Sequence, residues 1–398
     1  MSSRVRLFSS LIDIVNLHID SPFVQIDVIE MLARSRRVFL SNRSLYSIPH
    51  HTTETTMSKR TLDTFFNPSP KKAKISLTES KDAPSNHSTY PFAIPQLPPE
   101  ITDLLNFAPE AEGKAINDQP DLNLLYFQPY VPGSISTALF EFLRGELFFY
   151  RVKYKIKRGP IETDINTPRF TTVFGVDETS SFIPDGSLID TTTKKPVPKD
   201  RYKTCKPRPI PHCLDLLRKL TEAATDQQYN FCLVNYYATG DDSISYHSDD
   251  ERFLGVDPAI ASFSLGAKRD FLLKHKPTPP SDTKSAAAVA SETKPLKLPL
   301  GSGDMVLMRG STQSKWLHSI PKRKGGESGN GRINITFRRA MVAGGTENYY
   351  RYNVGDGDVM KWDGKSKSMV VWGEKKGDGD GTKQEVKPED VDKGYAAL

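Results

Sequence analysis

The chain has 398 residues, with 54 Lys and Arg against 48 Asp and Glu, for a net charge of +6. That length accommodates one large domain with tails, or two domains, and the mild positive balance suits a polyanionic partner without specifying one. No apolar run reaches the roughly eighteen residues of a membrane span. Cys205, Cys213 and Cys232 have no CxxC spacing, so neither a zinc site nor a disulfide framework is expected, which fits a reducing compartment.

Residues 1–56 mix apolar stretches with Arg34-Ser35-Arg36-Arg37. The basic cluster would suit an organelle transit peptide, but Asp13, Asp20, Asp27 and Glu30 argue against one. Met57 opens MSKRTLDTFF, which reads as a natural N-terminus, so 1–56 read as an upstream extension. Residues 57–95 are rich in Ser, Thr, Pro and Lys, a composition expected to be disordered. Within them, Lys59 to Phe66 resembles the interaction box for the sliding clamp (PCNA). Leu62 stands three residues before the pair Phe65-Phe66, so one helical turn would plug an apolar pocket; Lys59 occupies the place where glutamine is usual. The alternative is a sticky, disordered tail. Pro70-Lys71-Lys72-Ala73-Lys74 reads either as a nuclear import signal or as a solvated charge run. Side by side, the two motifs suggest a nuclear protein linked to replication.

Leu139, Phe142, Leu143 and Leu147 form one apolar stripe, which predicts a core-facing helix over 134–147. Residues 144–159 (RGELFFYRVKYKIKRG) interleave aromatic rings with Arg and Lys. They suit either a half-buried strand or a hairpin edge for nucleic acid, with cations for phosphates and rings for bases. Leu216, Leu217 and Leu220 predict a second helix over 212–224.

The turn cluster Thr239-Gly240-Asp241-Asp242 precedes a short strand, 243–246, that leads into His247. Side chains two apart on an extended chain share a side, so His247 and Asp249 can reach one ion while Ser248 points away. Residues 277–294 are rich in Pro, Ser, Ala, Lys and Thr and read as a flexible insertion between two strands. After the strand-like 303–310, Trp316, His318 and Ile320 share a face by period two. An H-x-D pair is often a solvated turn, but His247, Asp249 and His318 also form the set that occupies one face of a ferrous ion and leaves the other open. Downstream, Arg332, Asn334, Thr336 and Arg338 line one face of a strand, and Ile333, Ile335 and Phe337 line the other. The polar face is either wet or a buried grip for an anion, since the Arg fork pairs bidentately with carboxylate. Aromatics at 348–372 suggest a small appended hairpin, and residues beyond 373 are charged, Gly-rich and expected to be disordered.

In combination, Asn235-Tyr236-Tyr237, His247-Ser248-Asp249-Asp250-Glu251, His318 and Arg332-Ile333-Asn334-Ile335-Thr336-Phe337-Arg338 resemble the AlkB-type Fe(II)/2-oxoglutarate dioxygenases, and look most like their eukaryotic DNA-repair branch. Residues 261–271 resemble that family's central strand pair. The resemblance spans residues 96–343 and is strongest over 229–339. It implies a mainly β fold with flanking helices around a double-stranded β-helix (jelly-roll) core. The chain then divides into a targeting region (1–95), a dioxygenase domain (96–343) and a C-terminal extension (344–398). It further implies that His247, Asp249 and His318 bind Fe(2+), and that Asn235, Tyr237, Arg332, Asn334 and Arg338 hold 2-oxoglutarate, with O2 as the oxidant. Asp250 and Glu251 would stand at the pocket mouth. Arg169 and Tyr202 resemble the substrate-recognition lid, with Tyr202 stacking on a flipped base.

The resulting expectation is a nuclear, monomeric enzyme that oxidatively demethylates alkylated DNA bases of the 1-methyladenine and 3-methylcytosine type. Those methyl groups sit on the Watson–Crick edge, so the base must be single-stranded or flipped out. The same chemistry on RNA or on a protein side chain uses the same iron and cosubstrate residues. A non-catalytic clamp-binding jelly roll would need none of the three iron ligands.

Overall fold

Between Phe231 and Arg338 the chain passes back and forth between two antiparallel sheets. The computed structural model describes residues 83–373 apart from 159–160, 278–292 and 356. The clamp-like box (Leu62, Phe65, Phe66) and the basic cluster at 70–74 lie outside the described residues.

Ten strands frame the site. They are β1 (Leu124–Phe127), β2 (Phe170–Gly175), β3 (Phe231–Tyr237), β4 (Ile244–His247), β5 (Ile260–Gly266), β6 (Arg269–His275), β7 (Leu296–Leu300), β8 (Met305–Met308), β9 (Trp316–Ile320) and β10 (Arg332–Arg338). The small sheet runs β4-β9-β6-β7. The large sheet runs Lys114–Ile116, β1, β8, β5, β10, β3, β2, Phe149–Tyr150, Val359–Asp363 and Ser368–Val371. Apart from the β6–β7 hairpin within the small sheet, strands β3 to β10 therefore alternate between sheets as a double-stranded β-helix, the core expected from the resemblance.

Register explains why one face of the large sheet is polar. Asn334 stands opposite Asn235 on one side and Ser264 on the other, Thr336 opposite Leu233 and Ser262, and Arg332 opposite Tyr237 and Gly266. Because side chains alternate with period two, this places Arg332, Asn334, Thr336, Arg338, Asn235 and Tyr237 on the inner face. Ile333, Ile335, Phe337, Val234, Tyr236 and Phe263 occupy the outer face and are all buried. Four helices flank the sheets: α1 (Pro99–Leu105), α2 (Gly133–Glu146), α3 (His212–Thr225) and α4 (Glu347–Asn353). Helix α2 packs over β5 and β10 with Ile135, Leu139, Phe140 and Leu143 buried. The buried leucines of α3 belong to the same core. Gly266 turns the chain from β5 towards β6 at φ +84°, where a Cβ would come within 2.6 Å of the Gly331 carbonyl oxygen. Both facts restrict that corner to glycine.

The C-terminal segment is built into this fold. Helix α4 buries Tyr350, and Val359–Asp363 pairs with Phe149–Tyr150 to widen the large sheet. Trp362 packs edge-on to Tyr236, with the Arg144 guanidinium 4.1 Å from its ring centroid. The free strand edge at Phe149–Tyr150 is the physical reason: its unpaired backbone groups accept another strand. No helix among the described residues is long and apolar enough to cross a membrane. Cys213 and Cys232 are free thiols, both buried.

Candidate iron and cosubstrate site

His247 ends β4 and lies opposite His318 of β9 in the ladder. The register brings their rings to 4.3 Å between centroids. Asp249 follows two residues after His247, past the strand end, and is buried. Its Oδ1 is 3.9 Å from His247 Nε2 and its Oδ2 3.8 Å from His318 Nε2. One ligand atom from each of the three residues lies within 4.8 Å of the others.

Several contacts set these groups in place. His247 Nδ1 is 2.9 Å from the Ser245 carbonyl oxygen. That acceptor calls for the Nδ1–H tautomer, which leaves the Nε2 lone pair for a metal. The Asp249 N–H donates to Gln313 Oε1 at 2.9 Å. Gln313 is fully buried on the helical turn Thr312–Lys315, immediately before the strand that carries His318.

Burial, with the neighbouring His247 ring, drives the His318 pKa down to about 3, so its imidazole is neutral at physiological pH. Burial alone would raise the Asp249 pKa, but Arg338, His318 and His247 together hold it down at about 2. Two imidazoles and an ionised carboxylate on one side of a common point suit a first-row divalent metal with open positions opposite.

Arg338 Nη2 donates to Asp249 Oδ2 at 2.8 Å. Arg332 is also buried, and its Nη2 donates to Ser264 Oγ at 2.8 Å. Arg332 Nε and Nη1 and Arg338 Nε are buried without a hydrogen-bond partner. Such groups are costly unless a ligand accepts from them. The polar face of β10 is therefore buried rather than wet. Its two guanidiniums offer N–H groups to a dicarboxylate, the donor set that 2-oxoglutarate requires. Asn235, Tyr237 and Asn334 line the same cavity of about 810 Å³.

The substrate-side residues separate. Arg169 lines the cavity and donates from Nε to Asn235 Oδ1 at 2.8 Å. Glu251 lines it too; its Oε2 is buried without a partner, and desolvation raises its pKa. Asp250 is not among the lining residues and pairs with Lys276 at 2.7 Å. Tyr202, expected to face the flipped base, also lies outside the lining. It is buried, and its hydroxyl donates to Asp177. Asp177 Oδ2 in addition accepts from the Gly344 N–H at 3.0 Å. Asp177 thus ties the loop carrying Tyr202 to the segment ahead of α4, because a buried phenol needs a polar partner and Asp177 supplies it.

Sequence reading missed Gln313, which touches Asp249, and Ser264 and Tyr349, which touch Arg332 and Arg338. Ser264 was signalled only by falling on the polar face of β5. Gln313 and Tyr349 had no local signal, since their contacts are 64 and 11 residues distant in the chain.

Residues 123–338 match the family model of the 2OG-Fe(II) oxygenase superfamily. The chain belongs to that superfamily. It is 37% identical over 139 residues to the "DNA oxidative demethylase ALKBH2" of Homo sapiens, covering 35% of this chain and 50% of that protein. It is 39% identical over 140 residues to the "Alpha-ketoglutarate-dependent dioxygenase alkB homolog 3" of Mus musculus, covering 34% and 46%. The "DNA oxidative demethylase ALKBH2" of Arabidopsis thaliana is 35% identical over 146 residues, covering 33% and 44%. The chain thus spans about half the length of the curated relatives it matches.

Proposed function

We propose that this chain is an AlkB-type dioxygenase that removes methyl groups from the ring nitrogens of alkylated DNA bases, of the 1-methyladenine and 3-methylcytosine type. One observation carries the reading: a two-histidine, one-carboxylate set shares a cavity with two buried arginines that keep unpartnered N–H groups. His247, Asp249 and His318 would hold Fe(II); Arg332 and Arg338, with Asn235, Tyr237 and Asn334, would hold 2-oxoglutarate. When bound, the metal and cosubstrate supply O2-dependent oxidation of a methyl C–H bond, after which the hydroxylated methyl leaves as formaldehyde.

The chain's own part is placement and exclusion of water. Arg338 holds the Asp249 carboxylate ionised, and burial keeps His318 neutral. Glu251, which lines the cavity, would meet a polar edge of a base there, and Arg169 helps to form the wall. The antiparallel hairpin Lys153–Arg158 and Ile161–Asn166 runs straight into the cavity residues Thr167, Pro168 and Arg169. Its sequence KYKIKR suits phosphates and bases flanking a flipped nucleotide. DNA is favoured over RNA by the relatives' names and by the clamp-like box at Leu62, Phe65 and Phe66. The same box and the basic cluster at 70–74 support action at replication sites in the nucleus, and the enzyme would act as a monomer.

The test supplies the full chain with ferrous iron, ascorbate, 2-oxoglutarate and single-stranded or duplex oligonucleotides carrying either lesion. Mass spectrometry should show each lesion losing one methylene equivalent, with succinate formed in step. Repair of RNA or peptide with DNA untouched would sink the DNA reading; absence of succinate with every substrate would sink the enzyme reading.

A further inference from the structure

The superfamily match ends at Arg338, but the cavity wall does not. Asn348, Tyr349, Tyr352 and Asn353 of α4 also line it. The helix is anchored to the sheets. The Tyr350 hydroxyl donates to the Gly175 carbonyl at 2.7 Å and accepts from the Arg208 N–H at 2.9 Å. Thr346, just ahead of the helix, is fully buried. This wall is part of the fold rather than a cover resting on it.

Tyr349 is the residue of α4 that reaches the chemistry. Its ring packs against Phe231 and Phe253, with centroids 5.3 and 5.8 Å away. Its hydroxyl accepts a hydrogen bond from Arg338 Nη1, and the guanidinium carbon lies 5.0 Å from the ring centroid. Arg338 Nη2 is committed to Asp249. The guanidinium is therefore held at two corners, and Nε remains without a protein partner. Held by Asp249 alone, it could pivot about that single contact and turn Nε away from an incoming carboxylate.

We propose that Tyr349 is a positioning residue: acting through Arg338, it fixes the donor offered to the cosubstrate carboxylate and the orientation of the Asp249 metal ligand. In this chain, then, a residue beyond the superfamily match completes the site. The inference rests on the iron and 2-oxoglutarate reading of the cavity.

The test uses the full chain and its Tyr349→Phe and Tyr349→Ala variants. Binding of N-oxalylglycine, an unreactive 2-oxoglutarate analogue, is measured calorimetrically with Mn(II) in place of Fe(II), alongside thermal melting and 2-oxoglutarate kinetics. Tyr349→Phe keeps the ring packing and loses only the hydroxyl. It should melt only slightly below the unaltered protein, bind the analogue about tenfold more weakly, as expected for losing a hydrogen bond to a charged group, and raise KM for 2-oxoglutarate more than it lowers kcat. Tyr349→Ala should show the same loss together with a lower melting temperature. Analogue affinity and KM unchanged in Tyr349→Phe would reduce Tyr349 to packing and overturn the inference, while the iron and cosubstrate reading stands. An unaltered protein that binds no Mn(II) and analogue would overturn both.

Discussion

Arg338 and Asp249, 89 residues apart in the chain, meet at 2.8 Å in a buried ion pair. The contact joins the two halves of the site, since Asp249 is one of the three residues able to hold a metal and Arg338 lies on the arginine-bearing face proposed for the cosubstrate. Removing one partner of a buried pair leaves the other uncompensated, which typically costs about 3–5 kcal/mol. Asp249→Ala should therefore abolish turnover, weaken Mn(II) binding beyond detection at micromolar metal and lower the melting temperature. Tight Mn(II) binding by the variant would remove Asp249 from the ligand set.

Arg332 offers two unpartnered N–H groups from a planar fork. Lysine keeps the charge but presents a point donor on a flexible stem. Arg332→Lys should raise KM for 2-oxoglutarate at least about tenfold, equivalent to roughly 1.4 kcal/mol, with a smaller change in kcat. Steady-state kinetics with varied 2-oxoglutarate checks this, and an unchanged KM would mean that the cosubstrate binds elsewhere.

Gln313 satisfies the Asp249 N–H inside the fold. Gln313→Ala strands that donor, at a cost of about 1–3 kcal/mol. The expected outcome is a lower melting temperature and weaker Mn(II) affinity, with 2-oxoglutarate KM least affected at saturating metal. Calorimetric metal titration separates this from a general loss of folding.

For His318 the folded pKa lies near 3, below its unfolded value of 6.5. Below 6.5 the unfolded chain takes up a proton that the folded imidazole refuses, so stability falls with pH, by up to about 1.4 kcal/mol per pH unit from this one group. Asp249 acts in the same direction between 3.8 and about 2. The metal-free protein should lose melting temperature steadily from pH 7 to pH 4, and a His318→Asn variant should show a shallower slope. Equal slopes would mean that His318 titrates normally and is not buried.

Tyr202 is held by Asp177 and does not line the cavity. Tyr202→Phe should cost about 1 kcal/mol of stability and leave KM for a methylated oligonucleotide unchanged. A raised oligonucleotide KM at unchanged stability would return Tyr202 to the substrate.

The contrast between Tyr202 and His247 shows which placements follow from local sequence pattern. Period-two alternation along 332–338 and the H-x-D spacing at 247–249 are local rules of extended backbone, so they placed ligands and arginines on definite faces before any fold was known. The two apolar helical stripes were legible for the same reason, although α2 buries Phe140 and leaves Phe142 only partly covered. The irregular segment around Tyr202 follows no such period. Whether a tyrosine there turns inward to Asp177 or outward to a base depends on a carboxylate 25 residues away.

The sequence by itself determined the chemistry on offer: two histidines, a carboxylate, an arginine strand and the alternating pattern of a two-sheet core. Only the tertiary structure decided their convergence. Cross-strand register set His247 beside His318, a helical turn brought Gln313 under Asp249, and the C-terminal helix laid Tyr349 on Arg338. Those contacts arise from sheet closure and burial, which act across long separations in the chain and leave no periodic trace in it.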